Sequence, residues 1–312
     1  MPDMVSTRTG FGQGVMALSE TCDKILVASA DTYRSFALGE YAGKYPDRYF
    51  EFGIAEQNMI TASAAMASEG YTVFAVGYSP FLSMRAAEQI RTFVAYPNLN
   101  VKVVAGLGGL SGDTDGVTHQ GTEDLGLMRT IPNLTVVCPA DAVAAKAFVK
   151  LVAEIDGPVY LRLGRGATPV IYPKDQQFTL GKAVSVRDNG NDLAIIAAGP
   201  CVGEAAIAAD RLREKGVCAK VLDMHTIKPL DTEALEAAFA SCRRVMTVED
   251  GTIYGGLGSA VLEYIAESGI AMESCKRLGM TTFGTAGTLP ELLGYFGIDA
   301  AGIEKQALAM LK

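Results

Sequence analysis

Glu56 is the only charged residue between Gly53 and Ser68, in a stretch that reads GIAEQNMITASAAMAS. Gly and Ala around it let another backbone approach closely, which fits burial at a chain–chain or helix–helix contact. A lone buried carboxylate is costly unless it is paired or carries a proton. The plainer reading is a Glu at a helix start, stabilised by the helix macrodipole. A second group of reactive side chains follows the glycine-rich run Gly106–Ser111. It holds Asp113, Asp115, His119, Gln120, Glu123 and Asp124. A His in a loop after a parallel strand lies at the carboxyl edge of a sheet, where α/β proteins bind ligands. The carboxylates could orient its ring and raise its pKa. The alternative is a solvated acidic loop or a capping His. His225, the other of two histidines, reads as a structural or interface residue at a strand end.

Two glycine clusters, Gly106–Ser111 and Gly255–Gly258, follow strand-like runs, but neither completes G-x-G-x-x-G and no Walker A motif occurs. Nucleotide binding is therefore not supported.

These residues must be positioned by alternating strands and helices. A helix over 7–20 precedes a strand over 24–31, and the Glu56 helix follows a polar loop. A strand over 72–78 leads to a helix over 81–96, and a strand over 100–106 leads to the acidic loop. A strand over 134–141 precedes a helix capped by Asp141, and 157–166 closes the series. Strands apolar on both faces with helices between them indicate parallel sheets covered on both sides. Residues 168–191 contain two prolines and a turn cluster and read as a linker. The alternation restarts beyond them. The expectation is an α/β chain of two doubly wound domains, 1–167 and 192–312.

With 312 residues, 49% hydrophobic and 20% charged, the chain has enough apolar content for large cores. The net charge of −8, with basic residues scattered, argues against nucleic acid or an anionic membrane as partner. No run approaches a membrane span and no signal-peptide core precedes the first helix. The six cysteines are far apart, with no CxxC, so zinc and disulfides are not expected and a cytoplasmic location is.

GIAEQNM, DGVTHQGTEDLGLMRTIPNLTVVCPAD and GPVYLRLGR, in this order, resemble the pyrimidine-binding domain of thiamine-diphosphate enzymes of the transketolase group. LDMHTIKPLD and VEDGTIYGGLGSAV resemble that group's C-terminal domain. The group includes transketolase, deoxyxylulose-phosphate synthase and the β subunit of 2-oxo acid dehydrogenases. Its diphosphate and Mg²⁺ are held by another domain bearing GDG…N. No GDG occurs here, and Glu249-Asp250-Gly251 is the nearest string. The resemblance thus implies the C-terminal subunit of a split transketolase, with an N-terminal subunit on a separate chain carrying the Mg²⁺ ligands and no metal ligand on this one. It implies an α₂β₂ assembly.

The resemblance also implies roles. Glu56 contacts the aminopyrimidine of thiamine diphosphate, in an apolar pocket that raises its pKa. Asp31 lies on the cofactor side, and Phe81 and Met84 stand where an aromatic wall is expected. His119 contacts the donor's C1-hydroxyl or carbonyl oxygen, and Asp115 a sugar hydroxyl. Arg165 and Arg8 match phosphate-contacting positions, with Ser35 a nearby hydroxyl. Leu107 stands where transketolases carry another histidine, and GVTH replaces GPTH. The expected reaction transfers a two-carbon ketol unit from a ketose phosphate to an aldose phosphate, and the sugar pair is left open. A 2-oxo acid dehydrogenase β subunit and a deoxyxylulose-phosphate-synthase-like enzyme are alternatives. A non-catalytic interaction subunit is a third.

Overall fold

The computed structural model describes residues 3–312, so the first two residues of the expected first domain lie outside it. In chain order the strands are β1 (Met4–Ser6), β2 (Ile25–Ser29), β3 (Tyr49–Glu51), β4 (Thr72–Tyr78), β5 (Val101–Gly106), β6 (Thr135–Val137) and β7 (Val159–Arg162). They continue as β8 (Ala167–Pro169), β9 (Val184–Asp188), β10 (Leu193–Ala197), β11 (Ala219–Asp223), β12 (Thr226–Lys228), β13 (Arg244–Thr252) and β14 (Ser274–Met280).

The first sheet has the order β12-β6-β7-β5-β4-β2-β3, and only β12 runs antiparallel to its neighbour. The second has the order β14-β13-β10-β11-β9, with β9 antiparallel. β1 and β8 form a two-stranded antiparallel ribbon. The mostly parallel, helix-covered architecture is the one the alternation implies. Interior strands such as β5 and β10 are buried at every residue, which is why they read as unbroken apolar runs. Among the described residues no helix is long and apolar enough to cross a membrane.

Helix Thr7–Ser19 lies directly on helix Ala142–Ala153, and glycines make that approach possible. A Cβ at Gly10 would sit 2.2 Å from the Ala142 carbonyl oxygen, and one at Gly14 would sit 2.7 Å from Val149. Asp141 caps the second helix as its position implies, accepting from Ala144 N at 2.8 Å. Its other oxygen accepts from the amides of Ile171 and Tyr172, so one buried carboxylate also fixes the chain beyond β8.

Segment 168–191 departs from the linker expectation. Residues 184–188 form β9, an edge strand on β11, while the stretch before it crosses between the sheets. Its prolines and polar residues hide a short alternating run, VSVRD. The two halves also interlock, because β12 from the second half completes the edge of the first sheet against β6. Over 81–96 the chain is helical, but it is two π-helical stretches, Phe81–Arg85 and Ile90–Ala95, around one short α turn. π turns inside helices recur at functional sites.

Candidate cofactor and substrate site

The expected site residues follow the carboxyl ends of parallel strands. Asp31 follows β2, Glu56 follows β3, Phe81 and Met84 follow β4, Asp115 and His119 follow β5, and Arg165 follows β7. This is the edge at which α/β sheets present ligand-binding side chains.

Glu56 opens helix Glu56–Ser68 and is 2% exposed. The sequence points to an apolar surround, and the surround proves different. Arg85 Nη1 donates to Glu56 Oε2 at 2.8 Å, so the carboxylate has a charged partner. Among the described residues Oε1 makes no hydrogen bond. The Arg85 guanidinium carbon lies 4.4 Å from the Phe81 ring centroid, a cation–π distance.

Phe81 connects this pair to His119. The two rings meet edge to face at 5.3 Å, and Tyr78 closes the group at 6.2 Å from His119. The Tyr78 hydroxyl shares a hydrogen bond with Ser35 Oγ at 3.0 Å. Among the described residues no carboxylate orients His119, contrary to expectation. Its Nδ1 lies 3.0 Å from Thr118 Oγ1, while Asp124 and Asp115 are engaged elsewhere. Asp124 is fully buried against Arg162, Tyr160 and Ser79. Asp115 pairs with Arg165.

Arg8 and Arg165 form a second group. Arg8 Nη2 donates to the Arg165 carbonyl oxygen at 3.0 Å, and the buried Arg8 Nε has no partner among the described residues. Burial pulls the Arg8 guanidinium below its usual value, with Tyr78 and Asp113 opposing and Arg165 adding to the shift. Asp113 is itself strained, with φ +51°, and burial pushes its carboxyl up. The loop is held from the second half of the chain, where Gln120 Nε2 donates to the Thr285 carbonyl oxygen at 2.8 Å.

The structure therefore joins Glu56, Phe81, His119 and Ser35 in one group, and Arg8, Arg165 and Asp115 in another. Met84 is 48% exposed, and Asp31 is exposed with φ +54°. Neither makes a side-chain hydrogen bond with the two groups. Asp31 is instead held through its amide, which donates to Glu51 Oε1 at 2.7 Å. Glu51 also accepts from Gly53 N and from the Tyr49 hydroxyl. Burial works to raise the Glu51 carboxyl, but these three donors together with Ser29 outweigh it and hold it below the usual range. Leu107 is buried, at φ +58°, and is not an open position. His225 is fully buried beside Phe148 at 4.7 Å, and burial lowers its pKa to about 4.

Sequence reasoning missed Arg85, Tyr78 and Glu51. The usable signal for Arg85 is its place four residues beyond Phe81 on the expected aromatic wall, opposite a Glu that needs a partner.

Glu56 and its surroundings fit the pyrimidine end of a thiamine cofactor. A buried carboxylate with one oxygen held by an arginine that stacks on an aromatic ring, and the other unpartnered among the described residues, has the right chemistry to grip a ring nitrogen. Among the described residues no cluster of His, Cys, Asp or Glu could hold a metal ion.

Comparison with known proteins identifies the family. Residues 3–170 match the transketolase pyrimidine-binding domain, and residues 181–303 match the transketolase C-terminal domain. The chain is 41% identical to a putative transketolase C-terminal section of Methanocaldococcus jannaschii, over 98% of this chain and 96% of that protein. It is 37% identical to one of the subunits of an apulose-4-phosphate transketolase of Phocaeicola vulgatus, over 99% of both. A solved structure described as a split gene transketolase, inactive beta4 tetramer, superposes with a TM-score of 0.89 at 35% identity, over 99% of both chains. The chain belongs to the transketolase family, as a C-terminal subunit that joins the pyrimidine-binding domain to the C-terminal domain.

Proposed function

We propose that this chain is the catalytic C-terminal subunit of a two-chain transketolase that moves a two-carbon ketol unit from a ketose to an aldose. Residues up to 167 serve as the pyrimidine-binding domain and residues beyond 191 as the C-terminal domain. Bound thiamine diphosphate supplies the nucleophilic carbon that cleaves the donor and stabilises the two-carbon fragment. Glu56 holds and moves a proton at Oε1, its one free oxygen. Phe81 forms the wall beside it. His119, fixed against Phe81 and Tyr78, donates to the donor's oxygen, where negative charge develops. Asp115 accepts from a sugar hydroxyl, and Arg8 with Arg165 receives a terminal anionic group, with Ser35 at its edge. Asp31 and Met84 lie on the cofactor side of an assembled enzyme.

The diphosphate and Mg²⁺ are assigned to a separate N-terminal chain, and the assembly to α₂β₂. That the related beta4 tetramer is described as inactive supports the need for such a partner. The substrates are sugars carrying an anionic group, a class that the relative acting on apulose 4-phosphate exemplifies.

The observation that carries this reading is the buried Glu56 held through Oε2 by Arg85, which stacks over Phe81, while Oε1 is unpartnered among the described residues. Calorimetric titration of thiamine diphosphate with Mg²⁺ into this chain mixed with its N-terminal partner tests it. Saturable binding by the mixture, weakened in Glu56→Ala, is expected. Absence of binding by the mixture would exclude the catalytic role and leave a non-catalytic interaction subunit.

A further inference from the structure

We propose that Arg85 is a positioning residue for the proton relay, holding Oε2 of Glu56 so that Oε1 alone faces the cofactor. The inference rests on the thiamine-diphosphate reading above. Glu56 has few rotamers compatible with a helix start, and which oxygen is free depends on what binds the other. Arg85 Nη1 takes Oε2 at 2.8 Å, and no other side chain bonds the carboxylate among the described residues. The guanidinium is itself fixed. It stacks over Phe81 at 4.4 Å, and Phe81 meets His119 edge-on at 5.3 Å.

The backbone sets this arrangement. Phe81–Arg85 is a π turn closed by the Ala86 amide donating to the Phe81 carbonyl oxygen at 3.0 Å. The turn carries ring and guanidinium on one short element, so one residue orients both the carboxylate and the aromatic wall. An isolated exposed ion pair contributes little. Here one partner is 3% exposed and the other 45%, so the buried carboxylate depends on the half-exposed arginine.

The test uses this chain assembled with its N-terminal partner, thiamine diphosphate and Mg²⁺, without sugar. The rate of hydrogen–deuterium exchange at C2 of the bound cofactor is read by acid quench and NMR, beside cofactor affinity and thermal unfolding. Arg85→Met keeps an apolar stem against Phe81 and removes the donor, and Arg85→Lys restores one donor. Arg85→Met is expected to slow exchange about tenfold or more, the loss of one charge-assisted hydrogen bond. Arg85→Lys is expected to recover part of the rate, and both variants to melt within a few degrees of wild type. Wild-type exchange in Arg85→Met overturns the assignment to Arg85 and leaves the cofactor reading intact. Equal slowing in both variants with lost thermal stability also overturns it, as a folding contact. Wild-type enzyme exchanging no faster than free cofactor overturns the thiamine-diphosphate reading and the proposal with it.

Discussion

Arg162 on β7 donates to Asp250 on β13 at 2.6 Å, and both side chains are at most 2% exposed. Arg162 also reaches Asp124 at 3.0 Å, so one guanidinium neutralises two buried carboxylates. Those carboxylates come from the acidic segment that follows His119 and from the second sheet, so the triad ties the two halves of the chain together behind the candidate site. Burial lifts the Asp250 carboxyl, and Arg162 opposes that shift. Removing Arg162 strands both acids. Arg162→Met should cost about 3–5 kcal/mol in urea unfolding, and a loss below about 1 kcal/mol would show that the triad is not what joins the halves.

His225 gives a pH dependence whose sign is fixed by its burial. Burial lowers its pKa to about 4 from 6.5, with the Lys182 backbone and Asp231 opposing. The unfolded chain therefore binds a proton that the folded chain refuses between those values. Stability from this group is complete above about pH 6.5 and falls as pH drops toward 4, by up to about 3 kcal/mol in all. Thermal melts of wild type and His225→Gln from pH 7 to 4.5 should converge at the acid end. Parallel curves would contradict the assignment.

The contact from Gln120 to Thr285 joins the loop of Asp115 and His119 to the C-terminal half. Gln120→Ala removes one neutral hydrogen bond, worth about 0.5–1.5 kcal/mol. The donor KM should rise roughly two- to tenfold with kcat much less affected. A fall confined to kcat would place Gln120 in the chemical step.

Arg8 and Arg165 should discriminate on charge. Arg165→Met should raise the KM of a phosphorylated donor about tenfold or more and leave an uncharged analogue nearly unchanged. Asp115 loses its ion-pair partner in that variant, which adds a second effect. The Asp115→Asn, Arg165→Met double variant separates the two contributions. An equal KM change for both sugars would remove Arg165 from the anion site.

Much of the fold was legible because the signals were local. The apolar run Thr72–Tyr78 and the Asp141 cap stand where the sequence puts them. β14 was not legible, since SCKRLGM exposes its Cys and Lys as an edge strand and lacks the apolar run of an interior one. β9 was hidden by the prolines and turn residues before it. At the candidate site, the sequence singles out Glu56 as the lone charge of a small-residue stretch and His119 within an acidic, glycine-rich loop, and the structure links the two through Arg85 and Phe81. Their partners were not legible. Arg85 reaches Glu56 across 29 positions and Arg165 reaches Asp115 across 50. An arginine in a helix looks the same in sequence whether it faces water or a buried acid.

On the proposed reading, Glu56 serves ketol transfer in an enzyme completed by a second chain. The most direct measurement is the rate of transfer from xylulose 5-phosphate to ribose 5-phosphate with thiamine diphosphate and Mg²⁺. It is made for each chain alone, for the mixture, and for the mixture with Glu56→Ala. Activity in the wild-type mixture only, with Glu56→Ala lower by about 10²–10⁴, is the predicted result. Activity of the mixture undiminished by Glu56→Ala would contradict the account.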